Sequence, residues 1–163
     1  MKARFGIILS GLLLLTACSD TQHMNHGSSY AGKTFSSPGE RIYFTGLGSD
    51  GLPIPITGGH HHRQMHGGGC VTCHGETRQG GIRMWPWFWE SAPAITPEAL
   101  TGNHEAAGHD HSHYDAKALA QAITQGLEPD GDTLDDLMPR WQLTDQDLNA
   151  LIDYLLNTPA DTE

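Results

Sequence analysis

Two cysteines and a histidine stand at a spacing that can do covalent or metal chemistry. Cys70 and Cys73 are separated by two residues, and His74 follows directly. This Cys-x-x-Cys-His pattern is typical of c-type haem attachment, in which two thiols add to the vinyl groups of haem and the histidine binds its iron. Half of a zinc site, a redox dithiol and a chance arrangement are the alternatives.

Haem attachment accounts for more of this pattern than the alternatives do. A structural zinc site needs four protein ligands, and the sequence has no second pair of cysteines, although its histidines leave a Cys/His site open. A thioredoxin-like dithiol belongs in a βαβ setting, which the sequence does not show. We therefore predict one covalent haem c on Cys70 and Cys73, with His74 as the proximal iron ligand.

The expected sixth iron ligand is a methionine, because a thioether suits iron that changes oxidation state. Beyond residue 37 the chain has Met65, Met84 and Met138. Met138 lies in a Met-Pro dipeptide between an acidic turn and a strong helix signal, and we predict it as the distal ligand. Met65 or one of the histidines is the alternative.

Histidines cluster on both sides of the haem motif. Neutral imidazoles bind copper, nickel and zinc, so a second metal site, for copper for example, is one interpretation. A pair of polar loops that respond to pH is the other. The clustered residues are His60, His61, His62 and His66 before the motif, and His104, His109, His111 and His113 after it.

Helix signals place these motifs in a small all-α domain with long Gly/His-rich loops. Pro38 can open a short helix that ends near Thr45, and Thr96-Pro97 can open another. Asp115 can cap "AKALAQAITQ", and Thr144 can cap a last helix whose leucines recur at helical spacing. Neither an alternating strand pattern nor an internal repeat is predicted.

Aromatic residues and one arginine are expected near the haem. Trp85, Trp87, Phe88 and Trp89 form a cluster that can pack against the porphyrin or under a loop, with docking or electron entry as the alternative. Trp141 is expected to pack beside the haem. Arg140 is expected to pair with a haem propionate.

The first residues indicate export. Lys2 and Arg4 precede a short apolar run, which is typical of a signal peptide and too short for a spanning helix. Leu15-Thr16-Ala17-Cys18 is similar to a bacterial lipobox, so we predict a signal peptide over 1–17 and lipidation of Cys18. Residues 18–37 are expected to be a tether and 38–160 the folded domain. The predicted location is the periplasmic side of a bacterial membrane, inner or outer.

The charge of the chain restricts its partners. The formal net charge is −10, and Arg140 is the only cation between Glu128 and Glu163. Such a chain does not favour nucleic acid. The acidic residues form either a solvated face or a docking surface for redox partner proteins that have a basic docking face.

The segments "CVTCHGE" and "AITQGLEPDGDTLDDLMPRWQLTDQDLNALIDYL" resemble monohaem class I cytochromes c, over about residues 38–158. The resemblance implies a first helix crossing the last. Gly39 and Tyr43 would then face Leu151 and Tyr154. It also implies that a proline carbonyl, Pro93 or else Pro86, accepts the ring N–H of the proximal histidine.

These observations predict a membrane-anchored electron carrier, not an enzyme, with His/Met-ligated haem; it could also serve as the electron-transfer subunit of an oxidoreductase. One alternative is a periplasmic haem protein whose histidine loops bind metal. Another is a ligand-binding or catalytic haem such as a peroxidase, which would need an open sixth site. Residues 46–69 are an insertion relative to compact members of the family, and haem attachment does not explain its glycines and histidines.

Overall fold

The structure, a computed structural model, describes residue 30 and residues 32–59, 68–84, 87–102 and 113–159. In these ranges it has five helices: α1 (Pro38–Thr45), α2 (Val71–His74), α3 (Pro97–Thr101), α4 (Ala116–Gln125) and α5 (Asp145–Asn157). Four short strands accompany them: β1 (Ile56–Thr57), β2 (Arg83–Met84), β3 (Trp87–Ser91) and β4 (Arg140–Trp141). No helix in these ranges is long and apolar enough to cross a membrane.

Local capping explains where four of the five helices begin. Ser37, Thr96, Asp115 and Thr144 each accept a backbone N–H of the following first turn through a side-chain oxygen. Pro38 and Pro97 occupy the start of their helices, where no N–H is needed. The helices predicted from these residues are all present.

The crossing of α1 and α5 forms the centre of the fold. Gly39 lies against the backbone of Ala150, where a Cβ would overlap the carbonyl, so only glycine allows this approach. The rings of Tyr43 and Tyr154 lie 5.5 Å apart, centroid to centroid. Leu151 is 1% exposed in the same cluster. The predicted contact between these two helices is therefore confirmed.

Two small antiparallel sheets correct the prediction of an all-α fold. β1 pairs with β4, with Ile56 opposite Trp141 and Thr57 opposite Arg140. β2 pairs with β3, with an irregularity between Arg83 and Met84. β1, β2 and β4 have two residues each, too few to show an alternating pattern, and β3 begins with three consecutive aromatic residues.

An internal repeat, which the sequence analysis did not predict, follows α1 and α4. In the first turn the Gly46 N–H bonds to the carbonyl of Ile42 and the Ile54 N–H to the carbonyl of Gly46. In the second turn Gly126 and Leu134 make the corresponding bonds. The segments read "GLGSDG" (46–51) and "GLEPDG" (126–131), and a repeat of six letters is short enough to miss without its hydrogen bonds.

Residues 46–59, the longer of the two described parts of the predicted insertion, pack into the domain. Asp147, in the first turn of α5, is 4% exposed and accepts the N–H of Ser49 at 3.1 Å. The N–H of Gly59 bonds to the carbonyl of Asp136 at 2.9 Å. These contacts and the β1–β4 pairing hold the segment against the loop that precedes β4.

The end of the predicted tether also contacts the domain. The hydroxyl of Tyr30 donates to Glu76 at 2.9 Å, and its ring meets Phe44 edge-on at 4.9 Å. The ring of Phe35 lies 5.9 Å from that of Phe44, and the ammonium of Lys33 lies 3.6 Å from the centre of the same ring. Residues 1–29, with the predicted signal peptide and Cys18, lie outside the described residues.

Candidate functional site

The Cys-x-x-Cys-His motif forms a single helical turn. The backbone N–H groups of Cys73 and His74 both bond to the carbonyl of Cys70, at 3.1 and 3.0 Å. Cys70 and Cys73 are half-buried, and His74 is 8% exposed. The turn therefore presents both sulfur atoms and the imidazole from one short element.

The glycines before Cys70 have a structural role that haem attachment alone did not reveal. A Cβ on Gly69 would overlap the backbone carbonyl of Tyr43 in α1, and one on Gly46 would lie 2.6 Å from the carbonyl oxygen of Gly68. The hydroxyl of Tyr43 donates to the carbonyl of Gly75 at 2.7 Å. These contacts, made just before Cys70 and just after His74, place the haem motif directly on α1.

The phenol of Tyr43 is a neutral donor in this position. The residue is fully buried, and burial raises the pKa of Tyr43 far above its ordinary value, with a smaller effect from the Cys70 thiol. A buried phenolate would lack solvation, so the proton stays on the oxygen and in the bond to Gly75.

Nδ1 of His74 lies 2.9 Å from the carbonyl oxygen of Pro93. Since a carbonyl only accepts, the proton is assigned to Nδ1, and Nε2 carries the lone pair that a metal needs. Pro93 is the partner preferred in the sequence analysis, and the alternative Pro86 lies outside the described residues.

The loop of Gly80 and Gly81 holds the Pro93 carbonyl in place. The N–H of Gly80 bonds to the carbonyl of His74 at 3.0 Å, and that of Gly81 to the carbonyl of Ala92 at 2.9 Å. A Cβ on Gly80 would lie 2.5 Å from the Pro93 carbonyl, so a larger residue would displace it.

The loop of Met138 lines a cavity together with Cys70, Cys73 and His74. The N–H of Met138 bonds to the carbonyl of Asp135 at 3.1 Å, and the N–H of Leu137 to the Asp135 carboxylate at 2.7 Å. Met138 is half-buried, and Trp141 is 5% exposed. Trp141 thus occupies the position beside the cofactor site that the sequence analysis expected.

One cavity brings the four predicted haem contacts together. It holds about 720 Å³ of empty space, part of which is open to solvent. Cys70, Cys73, His74 and Met138 all line it. The other lining residues are Glu90, Ser91, Ala92, Pro93, Leu134, Asp135, Leu137, Pro139 and Trp141.

This set of residues fits a covalent haem. The thiols lie on the same wall as an imidazole whose tautomer is fixed for metal binding, and a thioether lines the cavity as well. Most of the remaining lining side chains are apolar, as a buried porphyrin requires.

Arg140 makes hydrogen bonds that were not expected from the sequence. Its guanidinium donates to the carbonyls of Leu134, Asp135 and Met138, and the residue is not among those that line the cavity. The pairing of Arg140 with a haem propionate stays a prediction.

Most of the predicted second metal site falls outside the described residues. His60, His61, His62, His66, His104, His109 and His111 are not described, and neither is Met65. His113 is described and exposed. Within the described ranges no group of three or more His, Cys, Asp or Glu side chains could hold a metal ion.

The aromatic cluster is only partly described. The backbone of Trp87, Phe88 and Trp89 forms the first part of β3. The last two residues of β3, Glu90 and Ser91, line the cavity. The side chains of this cluster and all of Trp85 lie outside the described residues. Their packing against the haem stays a prediction.

Sequence reasoning missed Arg78, which supports the proximal side. Its side chain is 1% exposed and donates to the carbonyls of Tyr154 at 3.0 Å and Thr158 at 2.7 Å, at the end of α5. Its backbone has φ +60°, and its carbonyl accepts the N–H of Ile95 at 2.8 Å. Arg78 thus links the last helix to the loop that carries Pro93.

Comparison with known families agrees with this geometry. Residues 62–159, more than half of the chain, match the sequence model of the family described as Cytochrome c. Neither the curated proteins nor the solved structures gave a match. With a matching family model and a cavity lined by the haem motif, the chain belongs to the cytochrome c family, whose helical domains bind haem covalently and transfer electrons.

Proposed function

We propose that the protein is a one-electron carrier in which Cys70 and Cys73 would hold the haem and His74 and Met138 would bind its iron. The observation that carries the proposal is the cavity that these four residues share. A bound haem c supplies the reaction, which is the reversible gain and loss of one electron at iron. The protein is not proposed to be an enzyme.

The residues around the cavity would set the properties of the site. The Pro93 carbonyl orients the His74 ring through the bond to Nδ1 and makes the imidazole a stronger ligand. Leu134, Leu137 and Trp141 line the cavity and limit the access of water. A soft thioether from Met138 and an apolar wall both favour reduced iron.

Spectra of three methionine variants test the axial ligands. The oxidised wild-type protein should show the weak long-wavelength band of a methionine–iron bond. Met138→Ala should lose this band and bind cyanide or carbon monoxide readily, whereas Met84→Ala and Met65→Ala should keep it. A band that survives in Met138→Ala, or disappears in Met65→Ala, would refute the assignment of Met138.

We propose that lipidated Cys18 anchors the protein on the periplasmic side of a bacterial membrane. The support is the lipobox-like segment after an apolar run. Membrane fractions should contain the wild-type protein. Cells fed radioactive palmitate should label the wild-type protein and leave Cys18→Ser, which lacks the acylated thiol, unlabelled. Wild-type protein without label would exclude the lipid anchor.

The proposed redox partner has a basic docking face. Glu128, Asp130, Asp132 and Asp135 are acidic, and Asp135 lies at the cavity itself. Attraction between opposite charges raises association rates and weakens with salt. Electron transfer to a basic partner should therefore slow as ionic strength rises, and a rate independent of salt would contradict this docking mode.

A further inference from the structure

Arg140 makes a set of hydrogen bonds that has no role in haem attachment. One guanidinium nitrogen donates to the carbonyls of Met138 and Asp135, and the other donates to the carbonyl of Leu134 at 2.9 Å. The three carbonyls belong to the loop that carries the proposed distal ligand. A planar guanidinium has five N–H donors in a fixed geometry, so it can serve several carbonyls at once.

The position of this side chain is fixed from two directions. Its backbone belongs to β4, where Arg140 pairs with Thr57 of β1. On the other side, a Cβ on Gly126 would overlap the guanidinium, so the glycine that ends α4 also leaves room for the arginine. Gly126 has φ +71°, and its carbonyl accepts the N–H of Leu134.

The carboxylate near Arg140 does not explain its conformation. Asp136 lies 4.0 Å away and is fully exposed, whereas the Arg140 side chain is only 16% exposed. An ion pair with an exposed partner contributes little. Hydrogen bonds from a charged donor to partly buried carbonyls are stronger, and these are the bonds that would break if the loop moved away.

We propose that Arg140 is a positioning residue that keeps the Met138 loop closed over the haem iron. The proposal rests on the axial ligation proposed above. Displacement of Met138 by another ligand requires the loop to open, and opening separates the guanidinium from at least the carbonyl of Met138. The arginine thereby keeps the open population small and exogenous ligands out.

Ligand exchange in the ferric holoprotein measures this role. Arg140→Gln should bind imidazole about ten to a hundred times more tightly than wild type, because a larger fraction of the loop is open. Its methionine–iron band should also disappear on heating at a lower temperature than helix unfolding. Arg140→Lys, which retains the charge but lacks the fork, should be intermediate, and it is the variant to use if Arg140→Gln does not accumulate.

Two control variants separate positioning from charge and from general stability. Asp136→Asn removes the exposed ion pair and should leave imidazole affinity at the wild-type value. Leu151→Val weakens the crossing of α1 and α5 and should lower the unfolding temperature without changing imidazole affinity. Unchanged affinity in both Arg140 variants, or an increase in Leu151→Val as large as theirs, would overturn the proposal.

The same spectra distinguish this proposal from the one on which it rests. If wild-type protein lacks the methionine–iron band, the axial assignment is wrong and the positioning role is excluded with it. If the band is present and Arg140→Gln behaves as wild type, the ligation stands and only the role of Arg140 is wrong.

Discussion

At the scale of single residues, Arg78 shows how one buried cation joins two parts of the fold. It donates to the last carbonyls of α5, where the helix dipole favours a positive charge. Its guanidinium carbon lies 4.7 Å from the centre of the Tyr154 ring. The same residue supports the loop of Pro93 through its backbone, so the proximal ligand depends on it indirectly.

We expect Arg78→Met to lower the free energy of unfolding of the holoprotein by about 3 kcal/mol, because two hydrogen bonds from a charged donor are lost at buried carbonyls. Denaturant unfolding followed by circular dichroism measures the change. Lys117→Met, at an exposed position of α4, should change stability by less than about 0.5 kcal/mol. A loss below about 1 kcal/mol for Arg78→Met would show that the carbonyls are satisfied without it.

The haem contacts could be predicted because covalent attachment dictates both residue type and spacing. Cys70, Cys73 and His74 are adjacent in sequence, and Met138 stands before a strong helix signal. The contacts of Arg78 with the distant end of α5, and those of Arg140 with its own loop, could not be predicted, because hydrogen bonds from a flexible side chain to backbone carbonyls leave no periodic pattern. The pairing of Arg140 with a haem propionate stays a prediction.

At the scale of elements, the segment 46–59 acts as a brace between α5 and the Met138 loop. Ser49 connects it to the buried Asp147, and β1 connects it to β4. In sequence, residues 46–69 are an insertion relative to compact members of the family. Hydrogen bonds to Asp147, to Asp136 and to β4, all distant in sequence, hold residues 46–59 in place.

We expect Asp147→Asn to lower the free energy of unfolding by about 1–2 kcal/mol, because an amide has a single acceptor oxygen for the Ser49 N–H and the Thr144 hydroxyl. Asp145→Asn is the matched control, since Asp145 is exposed in the same first turn. It should cost no more than about 0.5 kcal/mol, from the helix dipole alone. Equal losses in urea unfolding would mean that the contact with Ser49 contributes nothing.

At the scale of the whole molecule, tyrosines make the fold sensitive to alkali. Burial, with help from the carboxylate of Glu76, raises the pKa of Tyr30 to about 12. Burial and the charges of Glu128 and Asp130 raise the pKa of Tyr114 to about 12 as well. The protonated hydroxyl of Tyr30 binds the first described residue to Glu76, and Tyr114 packs against the hydrophobic core.

Stability should therefore be complete below pH about 10, the ordinary pKa of tyrosine, and should fall as the pH rises towards about 12. In that window the folded state retains protons that the unfolded state releases, so the linkage favours unfolding. Urea midpoints measured across the window give the slope. The double variant Tyr30→Phe/Tyr114→Phe should reduce the slope and leave the part that the buried Tyr43 contributes, and an unchanged slope would assign the alkaline loss to other groups.

The contact of Tyr30 with Glu76 limits how far the haem domain can travel. If Cys18 carries the lipid, only the residues from Ser19 to Tyr30 separate the membrane from the docked aromatic ring. Twelve residues span at most about 40 Å even when fully extended, which is close to the diameter of a domain of this size. The carrier would then exchange electrons only with partners at the same membrane surface. The length of residues 19–30 would set the greatest distance between the domain and the membrane.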